Sequence, residues 1–282
     1  MLNQVALVAQ TDKIQFSDLT VAAAAIQKQV SRDLGPIWSI EASVNAFATL
    51  EDVPLGYWHV LIDDTIPYNA QGIHLNDDNG QPFALIAYSD DWSLTTSHES
   101  IEMLVDPSGN RTVAANSPAP SQGRVLILVE ACDPSEAAKY GYTVNGVLVS
   151  DFYTPHFFDP VTAPGVRYSY TGALTEPLEV LDGGYMSWWD PTTKHVFQQF
   201  VSGTKKTVKD QGPLPKGFST LRSFTDSITN ELRMGLKKAP PKGAMLTAAA
   251  TGMKVKSSKV DASQKANAAS LQAQIEAIKK GK

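Results

Sequence analysis

The sequence predicts an α+β fold. Three features carry that expectation: an apolar helical stripe near the start, a series of short strand-like runs with a strong hairpin signal, and a second helix after them. The first helix is expected over 17–34, where Leu19, Ala22, Ala23, Ile26 and Val30 recur at helical spacing. Ser17-Asp18 offers its cap and Gly35-Pro36 its end. The apolar run 5–9 before it reads as a strand or an arm. Strands are expected over 37–40, 44–47, 57–62, 72–75 and 83–88, with Asn79-Gly80 as a hairpin turn before the last of these. Asp90 or Asp91 can cap the second helix, 92–105, and Pro107-Ser108-Gly109-Asn110 stops it.

The rest of the chain reads less regularly. Residues 108–123 are rich in Pro, Ser, Asn and Gly and are expected to form a loop. A buried strand follows over 124–132, ending in Glu130 and Asp133. A hairpin over 142–149 turns on Asn145-Gly146, and short strands are expected within 178–200. From about 202 the composition shifts toward Lys, Ala, Ser and Gly. This divides the chain into a body, 1–201, and a helical and flexible tail, 202–282. The tail holds one expected helix within 218–236, a flexible stretch at 239–260 and an exposed helix at 261–280. It is more basic than the body and reads as an interaction arm for a protein partner or assembly.

Composition excludes several classes. A hydrophobic fraction of 43% in 282 residues describes a globular chain, and a net charge of −5 gives no reason to expect nucleic acid. A single cysteine, Cys132, excludes an internal disulfide and a cysteine zinc finger. No leader pattern and no membrane-length apolar run are visible, so a soluble cytoplasmic protein without membrane contact is expected.

The chemistry concentrates in Ser97-His98-Glu99-Ser100-Ile101-Glu102. On a helix, His98 and Glu102 are four apart and share a face, while Glu99 lies about 100° round from His98. A zinc hydrolase needs two ligands one turn apart with a carboxylate between them to act on water. The second ligand here is Glu, where the commoner motif has His. Two helix starts are compatible with the sequence. Thr96-x-x-Glu99 matches a capping box, which makes Glu99 structural; a start at Asp90 or Asp91 places His98, Glu99 and Glu102 mid-helix.

With its helix, strands, hairpin and HExxE helix in that order, the chain resembles the zincin metallopeptidases. More closely, Ser97-His98-Glu99-x-x-Glu102 with Asp106-Pro107, followed by Glu130-Ala131-Cys132-Asp133-Pro134, is similar to largely uncharacterised phage and bacterial zincin-like proteins with SHExxE…DP and ExCDP signatures. The resemblance covers about 15–200 and leaves out the tail. It implies a zincin-like mixed sheet with an N-terminal helix and an active-site helix, and a metal-dependent peptidase acting on a peptide or protein. His98 and Glu102 are then metal ligands and Glu99 is the general base. Glu130 is the first choice for the third ligand, with Asp133 and Asp106 as alternatives. Zinc is the expected metal. A set of one imidazole and two carboxylates also admits manganese or calcium, and it acidifies water less than a set with two imidazoles.

His74 and His156 are each candidates for stabilising an oxyanion, although isolated histidines are more often structural. Cys132 reads as a small buried hydrophobe, and Trp188-Trp189 as core or interface. No P-loop, dinucleotide fingerprint or Gly-x-Ser-x-Gly elbow is present. Three functions remain in view. The first is a metal hydrolase of the host cytoplasm. The second is a structural or assembly protein, possibly of a phage virion, on the same fold with weak or no activity. The third is a binding module whose His98 helix is only structural.

Overall fold

A computed structural model describes residues 2–67, 70–218, 220–233 and 262–280. The first half of the chain builds a sheet from β1 (Asn3–Ala9), β2 (Ala42–Phe47), β3 (Trp58–Asp63), β4 (Gly72–Asn76) and β5 (Pro82–Ala87). Their order is β2-β1-β3-β5-β4. β1, β2, β3 and β5 run parallel, and β4 pairs antiparallel with β5 as an edge strand. The run at 5–9 is therefore an inner strand, and Asn79-Gly80 closes the β4–β5 hairpin. Parallel strands covered on both faces read as nearly continuous apolar runs. Val5, Leu7, Val60, Ile62, Ala84 and Ile86 face one side, and Ala6, Val8, Leu61, Phe83 and Leu85 the other.

The first face is covered by α1 (Phe16–Lys28) and α3 (Trp92–Val105). Between them the chain departs from expectation. α1 starts at Phe16 with no side-chain cap, continues as a π-helical stretch, Gln29–Leu34, and passes through Gly35-Pro36 into α2 (Gly35–Trp38). Proline fits this position because the first turn of a helix has no use for its missing N–H. A Cβ on residue 35 would stand 2.8 Å from the Ile40 carbonyl oxygen, so glycine is required there. The helix stops instead at Ser39, which takes φ 57°, and the strand expected at 37–40 does not form.

A second sheet has the order β12-β11-β10-β7-β6 and is antiparallel throughout. Its strands are β6 (Thr112–Asn116), β7 (Arg124–Leu128), β10 (Tyr185–Asp190), β11 (His195–Ser202) and β12 (Lys205–Pro213). β6 lies inside the expected loop at 108–123, where its small and polar residues hide a strand that pairs along all of β7. The hairpin of β8 (Tyr142–Val144) and β9 (Val147–Val149) turns on Asn145, at φ 51°, and Gly146. No strand forms at 178–181. α3 is enclosed between this half of the chain and the first sheet. From Leu94 to Val105 only His98 is not buried.

The described residues of the expected tail pack onto the body. β12 pairs along β11, so the expected division at 201 falls inside a strand pair. α4 (Leu221–Arg233) packs Leu221 and Phe224 against Leu128 and Val196. α5 (Ala262–Lys279) is not an exposed arm. It buries Ala268, Leu271 and Ile275 against the second face of the first sheet, and Lys279 pairs with Asp63 at 3.0 Å. Each such large aliphatic side chain is worth roughly 1.5–3 kcal/mol when fully buried. The alanine-rich composition hid this stripe, because alanine separates the larger apolar residues without interrupting the face. The stretch expected to be flexible, 239–260, lies outside the described residues. Among the described residues no helix is long and apolar enough to cross a membrane.

Candidate functional site

α3 starts at Trp92 after Asp91, which places His98, Glu99 and Glu102 in mid-helix. Thr96 makes no capping box; its hydroxyl donates to the Trp92 carbonyl at 2.7 Å within the helix. Most of the polar residues of this central helix are buried and partnered. The Ser97 hydroxyl donates to Gln29 Oε1 at 2.9 Å and accepts from the Ser150 amide at 2.9 Å, so α3 is tied to the π-helical stretch after α1 and to the residue that follows β9.

The ExCD segment after β7 brings acids to the same place. His98 Nε2 lies 3.3 Å from Glu102 Oε2 and 3.3 Å from Asp133 Oδ1. The Cys132 amide donates to Glu102 Oε1 at 3.0 Å and fixes the segment against the helix. Among the described residues two sets of three potential metal-ligand atoms lie within 4.8 Å of one another: His98, Glu102 and Asp133, and His74, Glu102 and Glu130. Of the candidates for a third ligand beside His98 and Glu102, the chain folds Asp133 into that place. Glu130, the first choice, falls in the set with His74 and pairs with Arg222. Both follow from register: β7 ends at Leu128, and the short helical turn at Asp133–Ser135 carries Asp133 back over His98. Asp106 is fully buried but engaged, accepting from the Arg111 amide at 2.9 Å and from Ser108 at 3.1 Å to close the turn after α3.

β4 contributes two positions. His74 Nδ1 lies 3.2 Å from Glu99 Oε2. A Cβ on residue 72 would stand 2.5 Å from Glu99 Oε1 and 2.7 Å from Thr95, so only glycine lets the strand pass this close to the helix. His156 is elsewhere, exposed and paired with Asp159 at 2.8 Å. Cys132 is buried, with its thiol pushed up by burial and by Glu102.

Two residues of α4 complete the site and were absent from the sequence reading. Arg222 lies 3.0 Å from Glu102, 3.6 Å from Glu99 and 3.1 Å from Asp226, and also pairs with Glu130. The available signal was an Arg and an Asp four apart beside the stripe of Leu221, Phe224 and Ile228.

Electrostatics separate the groups. Burial raises the Glu99 carboxyl to about 7; His98 and Arg222 oppose the rise and Glu102 adds to it. Burial acts the same way on Glu102, but His98 and Arg222 outweigh it and hold that carboxylate well below the usual range. Burial and repulsion from Glu102 push Asp133 up. Burial opposes a charge on His98, yet Glu102 and the Asp133 hydrogen bond hold the imidazole well above its usual range. Burial and the neighbouring Arg222 drive His74 well below its own. The result is an ionised Glu102 beside a carboxyl, Glu99, that exchanges its proton near neutrality.

A small cavity of about 60 Å³ adjoins these groups, lined by Gly72, His98, Glu99, Asp133, Tyr185 and Arg222. Comparisons of the chain with protein-family models, with curated proteins and with solved structures each give no match.

Proposed function

We propose that the protein is a zincin-like, metal-dependent hydrolase of peptide bonds, with the ion held by His98, Glu102 and Asp133 and with Glu99 as the general base. The observation that carries the reading is the spacing of the donor atoms. Ligand atoms around a tetrahedral zinc at 2.0–2.2 Å stand roughly 3.3–3.6 Å apart. His98 Nε2 is 3.3 Å from a carboxylate oxygen on either side, Glu102 Oε2 and the buried Asp133 Oδ1. The donor set therefore fits a divalent ion, zinc first and manganese or calcium next. The sheet supports the zincin-like assignment: four parallel strands and an antiparallel edge strand, β4, alongside the helix that bears the motif.

A divalent ion in this place supplies the charge that polarises a carbonyl and acidifies a water. The chain's own groups do the rest. Glu99, near 7, accepts a proton from water and returns it to the leaving amine. His74 fixes one oxygen of Glu99, and Gly72 leaves the other room against β4. Glu102 keeps its charge across the working range.

The test is a peptide-library digestion with zinc-loaded protein. Cleavage that falls by at least about 100-fold in Glu99→Gln, with metal retained, supports the assignment. A metal-loaded wild-type chain that cleaves nothing moves the protein to a second reading, a structural or assembly protein on the same fold. One observation favours that reading: α4 walls the small cavity with Arg222, Asp226 and Thr229, leaving space for a few waters rather than a peptide.

A further inference from the structure

Glu102 belongs to both sets of donor atoms; Arg222 pairs with two members of the His74 set, Glu102 and Glu130, and with only Glu102 of the His98 set. Its guanidinium touches Glu99, Glu102 and Glu130 and is anchored to its own helix through Asp226. The residue is 3% exposed. This is the place of a cation among carboxylates, and one member of the set is a poor partner for a guanidinium. His74 has a ring nitrogen, Nε2, that is buried and without a hydrogen-bond partner among the described residues, as is Glu130 Oε1. His74 Nδ1 lies 3.9 Å from Glu102 Oε2, and one ligand atom each of His74, Glu102 and Glu130 lies within 4.8 Å of the others, a spacing suited to metal donors. A second cavity, about 240 Å³, opens beside His74, between β4 and the start of α4. It shares a single lining residue, Arg222, with the cavity beside His98, so this side chain is the partition between them.

We infer that the acidic core is a two-cation site in which Arg222 fills the second place. His74, Glu102 and Glu130 form a metal-binding set that the guanidinium closes. The chain therefore holds one exchangeable divalent ion at His98–Glu102–Asp133 and takes up a second when an uncharged side chain replaces Arg222. The first ion rests on the function proposed above; the second does not, because it uses its own histidine.

The experiment counts ions. The full chain and Arg222→Met, Arg222→Met/His74→Ala and Arg222→Met/His98→Ala are equilibrated with zinc, dialysed and analysed for metal. Parallel samples in manganese are read by electron paramagnetic resonance for the coupling of neighbouring ions. The expected result is one ion in the native chain, two in Arg222→Met with a coupled manganese signal, and one in each double variant. Two ions in the native chain, or one in a folded Arg222→Met, overturn the inference. Arg222→Met that unfolds without metal and regains its native circular dichroism with two equivalents supports it. The same variant unfolded in millimolar zinc overturns it, since an ion is then no substitute for the guanidinium. A native chain without metal, with one ion in Arg222→Met that is lost in the His74 double variant and kept in the His98 one, upholds the second place and removes the first.

Discussion

His74 Nδ1 lies 3.2 Å from Glu99 Oε2, which couples the edge strand β4 to the acidic face of α3. The contact restrains the carboxyl proposed above as the general base, while His74 itself stands outside the His98 set of donors. His74→Ala is expected to lower kcat by roughly 10–100-fold, the usual cost of a misplaced catalytic group, with KM and the ion at His98 unchanged. Steady-state kinetics with parallel metal analysis tests this; loss of the metal together with activity would reassign the ligand.

The third ligand is decided by two conservative substitutions. Asp133→Asn removes a charge 3.3 Å from His98 Nε2, whereas Glu130→Gln alters a side chain paired with Arg222. Zinc affinity is expected to fall by at least about 10-fold in the first and to stay within a few-fold of wild type in the second, measured by competition with a chromophoric chelator. The opposite order returns Glu130 to the role its sequence position suggested.

Glu99 links stability to pH in the metal-free chain. Its carboxyl titrates near 7 when folded and near 4.5 otherwise. Between those values the folded state binds the proton and the unfolded state does not, so stability is present at low pH and is lost as pH rises toward 7. Glu99→Gln has no such proton. The wild type is expected to lose at most about 3 kcal/mol relative to that variant between pH 5 and 7.5. Urea unfolding at a series of pH values reads the difference. A constant gap shows that Glu99 is not shifted.

α5 is expected to contribute to global stability. Leu271 is 6% exposed and Ile275 2% exposed against the first sheet. Leu271→Ala is expected to cost about 2–5 kcal/mol in chemical denaturation. A change below about 0.5 kcal/mol would mean that the helix contributes little to the folded state.

Local signals carried most of the first half of the fold. The hairpin turns at Asn79-Gly80 and Asn145-Gly146 were legible because each needs only short-range conformational preferences. The HExxE spacing was legible because helix geometry alone puts His98 and Glu102 on one face. Gly35-Pro36 misled because its effect depends on whether the preceding turn widens, which Val30 and Leu34 settle by packing. β6 was hidden because Thr112–Asn116 has strand character only beside β7. Arg222 was hidden for the same reason on a larger scale. Nothing near it in sequence names the acids it meets, and its pairing with Glu102 spans 120 residues.

That separation gives the site a history during synthesis. At roughly 5–20 residues per second, Glu102 leaves the ribosome about 6–24 s before Arg222 does. For that interval the nascent chain holds the α3 acids without the arginine that later neutralises them. Burying α3 in that state is costly, because an unpaired carboxylate resists removal from water. Docking of α3 within that interval is eased when its acids are protonated or bound to a cation from solution. Metal supplied during translation would then assist folding, where metal supplied afterwards would have to enter a closed protein.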